Sequence, residues 1–137
     1  HFLLDPGGRE QSFYSVFSPA LAHGDDAVLS VQRWLQRRSA EPIDVRHMAR
    51  IAKMGERTFF RRFLRATGHR PAEYLAWLRV GRAREMLERS SRSIDAIADD
   101  VGYRDVGAFR KAFRRLVGLS AAEYRRRFRP DRRSAHG

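Results

Sequence analysis

From Asp25 onward the apolar residues recur at the three-to-four-residue spacing of one helix face, and polar punctuation cuts that rhythm into seven pieces. Val28, Val31 and Leu35 share one side of a first helix, with Trp34 beside them. Asp25 and Asp26 suit its N-terminus, and Glu41-Pro42 ends it. Asp44 is placed to cap a short second helix that buries Val45, Met48, Ala49 and Ala52. Gly55 breaks the pattern, and a third helix runs from about Glu56 to Thr67, with Gly68 just past its end. Pro71 opens a long fourth helix to about Glu88, whose inner stripe includes Val80, Ala83 and Leu87, with Met86 adjacent. Ser93 caps a fifth helix with Ile94, Ile97, Ala98 and Val101 inside. Gly102 lies in the turn, and Asp105 caps a sixth helix that buries Phe109, Ala112, Phe113 and Leu116. After Gly118, Ser120 caps a last helix to about Arg127. No segment alternates with the period of a strand. The expected fold is therefore all-α.

Two of these pieces are copies. Residues 59–74 and 109–124 share F-x-[RK]-x-F-x-R-x-x-G-x-x-x-A-E-Y without a gap. The preceding short helices also correspond, Val45, Met48, Ala49 and Ala52 matching Ile94, Ile97, Ala98 and Val101. Each copy is a short helix, a tight turn and a second helix, the layout of a helix-turn-helix. Two copies are too few to stack as a solenoid, which needs about three or more. The organisation that follows is a linker or tail of a preceding domain over 1–24, a helix-turn-helix subdomain over 25–70, a linker helix over 71–89, a second subdomain over 90–128 and a disordered tail over 129–137. The opening His1-Phe2, in place of Met, points to a fragment of something longer.

Charge sharpens this outline. The chain carries 28 Lys and Arg against 16 Asp and Glu, a net +12. The excess arrives in two blocks: residues 57–92 hold ten basic and three acidic side chains, and residues 110–137 hold ten and two. Each block opens with one copy of the repeat. Two separate basic stripes form an electrostatic footprint for a polyanion. Cysteine is absent, which removes disulfides and thiolate metal sites. The five histidines have no metal-ligand spacing, and there is no G-x-S-x-G, phosphate-cradling loop or paired catalytic carboxylate. An enzyme is not expected, nor a cofactor or a metal. No apolar run has the length of a membrane span.

At 100° per residue, the two Phe residues of each second helix anchor one face and expose another. Arg57, Phe60, Arg61 and Leu64 point outward from the first copy; Gly107, Arg110, Lys111 and Arg114 are their counterparts in the second, where Val106 is a further candidate. Arg and Lys on such a face can donate to guanine O6 and N7 or to phosphates, and Phe60 and Leu64 can pack on thymine methyls. Arg62, Arg65 and Arg115 lie toward the flank and are candidate phosphate contacts. The expected function is sequence-specific binding of double-stranded DNA at two unlike half-elements, with centres about one helical turn, roughly 34 Å, apart. Two alternatives differ in class. One is a non-specific basic nucleic-acid binder, which needs charge without ordered reading faces. The other is a protein-interaction module with Trp34 and Trp77 as surface anchors.

The second copy resembles the signature of the AraC/XylS family of bacterial transcription regulators. It reads Ser93-Ile94-x-x-Ile97-Ala98-x-x-x-Gly102-Tyr103-x-Asp105-x-x-x-Phe109-x-[RK]-x-Phe113-x-x-x-x-Gly118-x-Ser120-x-x-x-Tyr124-Arg125. The likeness covers about residues 25–128. It implies a C-terminal DNA-binding domain of seven helices whose two recognition helices enter successive major grooves on one DNA face. It further implies a cytoplasmic activator that touches RNA polymerase, with effector binding and any dimerisation in a separate N-terminal domain. The segment Asp5-Pro6-Gly7-Gly8-Arg9-Glu10-Gln11 is similar to the junction after an amidase-like sensor domain in one subgroup. Gly107 and Phe60 depart from the family pattern, which favours a longer polar residue at the first and a small or polar one at the second.

Overall fold

The computed structural model describes residues 21–129, and the junction-like segment at 5–11 and the tail from 130 lie outside them. Among the described residues there are seven helices and no strand: α1 (Asp26–Arg38), α2 (Val45–Ile51), α3 (Glu56–Thr67), α4 (Pro71–Arg89), α5 (Ile94–Val101), α6 (Val106–Val117) and α7 (Ala121–Phe128). The chain forms two compact units that meet inside α4, one ending at Arg79 and the other beginning at Val80.

In the first unit, Asp25 caps α1 by accepting from the Val28 amide, and Asp44 caps α2 by accepting from that of His47. These bonds satisfy backbone donors that the first turn of a helix leaves open. Val28, Val31, Leu35, Met48, Phe59 and Phe63 are fully buried. Phe59 and Phe63 lie 5.4 Å apart on α3, and Phe63 meets Tyr74 of α4 edge-on at 5.2 Å. The Tyr74 hydroxyl accepts from the amide of Gln32, itself fully buried on α1, at 3.2 Å. Arg79 donates from Nε to the Ser39 carbonyl at 2.8 Å and from Nη2 to that of Glu41 at 2.9 Å, just past the C-terminus of α1. A cation suits that end of a helix, where carbonyls lack intrahelical partners.

The second unit repeats the plan, with the end of α4 in the role of α1. Val80, Ala83, Arg84 and Leu87 are buried, and they follow Val28, Val31, Gln32 and Leu35 at a constant offset of 52 residues. Phe109, Phe113 and Tyr124 reproduce the aromatic stack at 5.7 and 5.6 Å. Arg84 stands where Gln32 stood, and it donates from Nε to the Tyr124 hydroxyl at 3.0 Å. Tyr124 in turn donates to Glu88, one turn along α4. Burial, then that bond to Glu88, pushes the Tyr124 hydroxyl well above its ordinary range. Arg125 takes the part of Arg79, donating to the carbonyls of Leu87 and Ser90 at 3.2 and 3.0 Å.

Most helix bounds agree with the hydrophobic pattern to within a residue or so, though α1 ends at Arg38, short of Glu41-Pro42, and several local expectations need correction. Val45 and Ile94, expected inside, are only half-buried. Val117 is buried on α6, whereas Leu116 is only half-buried. Trp77 is 9% exposed and part of the core, so it is no surface anchor. Gly55, which breaks the pattern before α3, caps that helix in an extended conformation at φ −69°.

The left-handed residue of the first turn is instead Lys53, at φ 60°; its counterpart at an offset of 49 is Gly102, at φ 115°. Both turns close alike, with the Met54 amide on the Ala49 carbonyl at 3.1 Å and that of Tyr103 on Ala98 at 2.9 Å. A left-handed non-glycine residue costs about 1–2 kcal/mol, and glycine in its place costs some backbone entropy in the unfolded chain. Lys53→Gly is therefore expected to stabilise the first unit by about 0.5–1 kcal/mol. Denaturant unfolding followed by tryptophan emission checks this, because both tryptophans, Trp34 and Trp77, belong to that unit. An unchanged or lowered midpoint refutes it.

Candidate nucleic-acid interface

In each unit two helices joined by a four-residue turn present the second one to solvent: α2, residues 52–55 and α3 in the first, α5, residues 102–105 and α6 in the second. The Phe pair fastens the inner face of each second helix, which fixes what the outer face offers. On α3, Arg57, Phe60, Arg61, Leu64 and Arg65 are all exposed. Phe60 and Leu64 are 37% and 40% exposed, which matters because few large apolar side chains stand out in the rest of the described chain. Among the described residues no ion pair holds Arg57, Arg61 or Arg65.

On α6, Gly107, Arg110, Lys111, Arg114 and Arg115 are exposed and Val106 is half-buried. Here two arginines face carboxylates, Arg110 with Asp95 at 3.7 Å and Arg114 with Glu123 at 3.6 Å. Long, exposed pairs of this kind contribute about 0–1 kcal/mol, so an incoming phosphate or base edge displaces them at little cost. Asp105 caps α6 by accepting from the Gly107 amide at 3.0 Å. A Cβ added at Gly107 would meet the Asp105 carboxylate at 3.4 Å, an ordinary contact, so the missing side chain is not a steric requirement.

Arg62 stands apart from its neighbours. It grips Asp25 with two bonds, Nε at 3.0 Å and Nη2 at 2.8 Å, tying α3 to the cap of α1. The guanidinium beside Asp25 holds that carboxyl below the usual range. Arg62 thus has a scaffold role besides the candidate phosphate contact. Glu56, in the first turn of α3, pairs with Arg46 at 3.3 Å. Asp100 is half-buried and paired with Arg92 at 2.6 Å. His47 is likewise half-buried, edge-on to Trp34 at 5.1 Å.

Sequence reasoning missed the buried Gln32 and Arg84 and the half-buried Glu88, and with them the third element of the repeat. The signal was present: Val28-x-x-Val31-Gln32-x-x-Leu35-Gln36 aligns with Val80-x-x-Ala83-Arg84-x-x-Leu87-Glu88. A different offset from the other matching segments, 52 against 49 and 50, hid it.

Two helix-turn-helix units, each exposing a cationic second helix, define a DNA-binding domain of the kind used by transcription regulators. Residues 48–127 match the helix-turn-helix domain family. The chain is 32% identical over 102 residues to a putative AraC-like transcription regulator of Streptomyces antibioticus, covering 74% of this chain and 34% of that one. It is 36% identical over 85 residues to the RCS-specific transcriptional activator RclR of Escherichia coli K12, covering 62% of this chain and 30% of that one. Among solved structures, the DNA-binding domain of AdpA, crystallised with a target DNA, superposes with a TM-score of 0.72 at 38% identity, covering 80% of this chain and 97% of that one. The chain belongs to the AraC/XylS family through this domain. It spans about a third of the length of these curated relatives. Those relatives are transcription regulators, not enzymes. Among the described residues no helix is long and apolar enough to cross a membrane.

Proposed function

We propose that the chain binds double-stranded DNA sequence-specifically, with α3 and α6 in successive major grooves of one asymmetric site. Arg57, Arg61, Phe60 and Leu64 read one half-element; Arg110, Lys111 and Arg114, with Val106 and Gly107 beside them, read the other. Arg65 and Arg115 hold phosphates, and Arg62 adds its charge from the Asp25 pair. The observation that carries this reading is the contrast between two like scaffolds and two unlike outer faces. Phe60 and Leu64 occupy the positions held by Arg110 and Arg114 in the second unit, fifty residues on. A general polyanion binder has no need of ordered faces that differ in this way. Activation through RNA polymerase in the cytoplasm, and dimerisation through another part of a longer protein, extend the proposal to the whole regulator.

Selection of bound duplexes from a random pool is the direct test. The expected product is a bipartite sequence with two dissimilar halves. A palindrome, or no enrichment at all, sinks the reading. A salt titration on the selected site supplies the second expectation. Affinity falls linearly in log-log form, yet the selected duplex stays at least about a thousandfold preferred over competitor DNA. Equal affinity for both would mark a non-specific binder instead.

A further inference from the structure

We propose that the first unit reads thymine through its 5-methyl group, and that this dependence is confined to the half-element under α3. The inference rests on the DNA-binding reading above and adds the chemistry of one half-site. Phe60 and Leu64 are one helical turn apart, so they share an edge of α3, and both are partly open to solvent. Arg57, Arg61 and Arg65 line one side of that edge, exposed and without an ion pair among the described residues. A purely apolar partner would strip these guanidinium groups of water and return nothing. The occupant must set an anionic strip beside an apolar one. A major groove meets both conditions where thymine methyls project beside a phosphate backbone.

The choice of base follows from what Phe60 and Leu64 lack. Neither can hydrogen-bond the polar edge of any base, so every base pair beneath them loses hydration, and a G·C pair offers no apolar group in return. An A·T pair offers a methyl group in van der Waals reach. The second unit has Arg110 and Arg114 at these positions, which donate hydrogen bonds and need no methyl. Burying one methyl changes an equilibrium by about fourfold.

Deoxyuridine in place of thymidine tests this on the 137-residue chain as it stands, since it removes the methyl and leaves base pairing intact. In the duplex selected from the random pool, each thymine is replaced in turn. Affinity should fall about fourfold per methyl at one or two positions of a single half-element. With Phe60→Ala/Leu64→Ala the same replacements should have no effect, while Arg110→Ala should leave them unchanged. Both altered side chains are exposed, and an unchanged unfolding midpoint confirms an intact unit. Less than a twofold effect at every thymine in both halves overturns the methyl reading, as does thymine sensitivity that survives the double substitution. A pool with no enriched sequence overturns DNA reading itself, and the methyl proposal falls with it.

Discussion

Replacing Arg84 with alanine is expected to destabilise the second unit by about 3–5 kcal/mol, the range for removing one member of a buried charged network. Arg84 is 2% exposed, and its guanidinium carbon lies 5.5 Å from the centre of the Tyr124 ring besides donating to the hydroxyl. Alanine takes away the side-chain packing, the hydrogen bond and the charge that faces the Tyr124–Glu88 pair. The cost is largest for the partners left behind, because Tyr124 is almost fully buried. Gln32→Ala in the first unit removes a neutral amide from the matching place and is expected to cost less, about 1–3 kcal/mol. Denaturant unfolding gives the totals, and hydrogen exchange of the amides in α5, α6 and α7 assigns the Arg84 loss to the second unit. A loss below 1 kcal/mol, or one no greater than that of Gln32→Ala, would show that Arg84 fills space and little more.

Arg61→Ala is expected to weaken binding to the selected duplex by about 1–3 kcal/mol, roughly five- to 150-fold, and to relax base preference in one half-element only. The side chain is exposed and enters no ion pair among the described residues, so its removal leaves the unit intact. Repeating the selection with the variant separates two roles. If preference relaxes at one or two adjacent positions, Arg61 donates to a base edge. If every sequence weakens alike and the salt slope drops by about one, it holds a phosphate. The Lys111→Ala variant, at the matching place on α6, should relax the opposite half. Relaxation of the same half by both would refute the division of labour between α3 and α6.

The helices were legible in the sequence because their ends are marked by side chains with one clear local use. Asp25, Asp44, Ser93, Asp105 and Ser120 all accept from an amide in the first turn. Gly68 and Gly118 take the left-handed conformation that ends α3 and α6, at φ 78° and 90°. The Phe faces were legible for the same reason, since helical spacing alone decides which residues share a side. The polar interior was not. Arg84 belongs to a residue type that is buried only when long-range partners satisfy it, and Tyr124 is 40 residues away. Lys53 was missed by the reverse route. Its place in the turn looks ordinary in sequence, and only the closing bond from Met54 to Ala49 demands a positive φ there. Exposure of Phe60 and Leu64 followed from the helical wheel, whereas the Asp95 and Glu123 partners of Arg110 and Arg114 depended on where neighbouring helices fall.

The division inside α4 bears on how such a domain can be re-engineered. A half-domain cut before Pro71 forfeits Tyr74 and Arg79, and one that starts after Arg89 forfeits Val80, Arg84 and Leu87. Each fragment would lose the residues that close its own core. Recombining halves from two relatives to build new operator preferences therefore calls for a crossover between Arg79 and Val80, in mid-helix. Junctions placed in the loops on either side, where protein engineers usually cut, would divide the wrong parts.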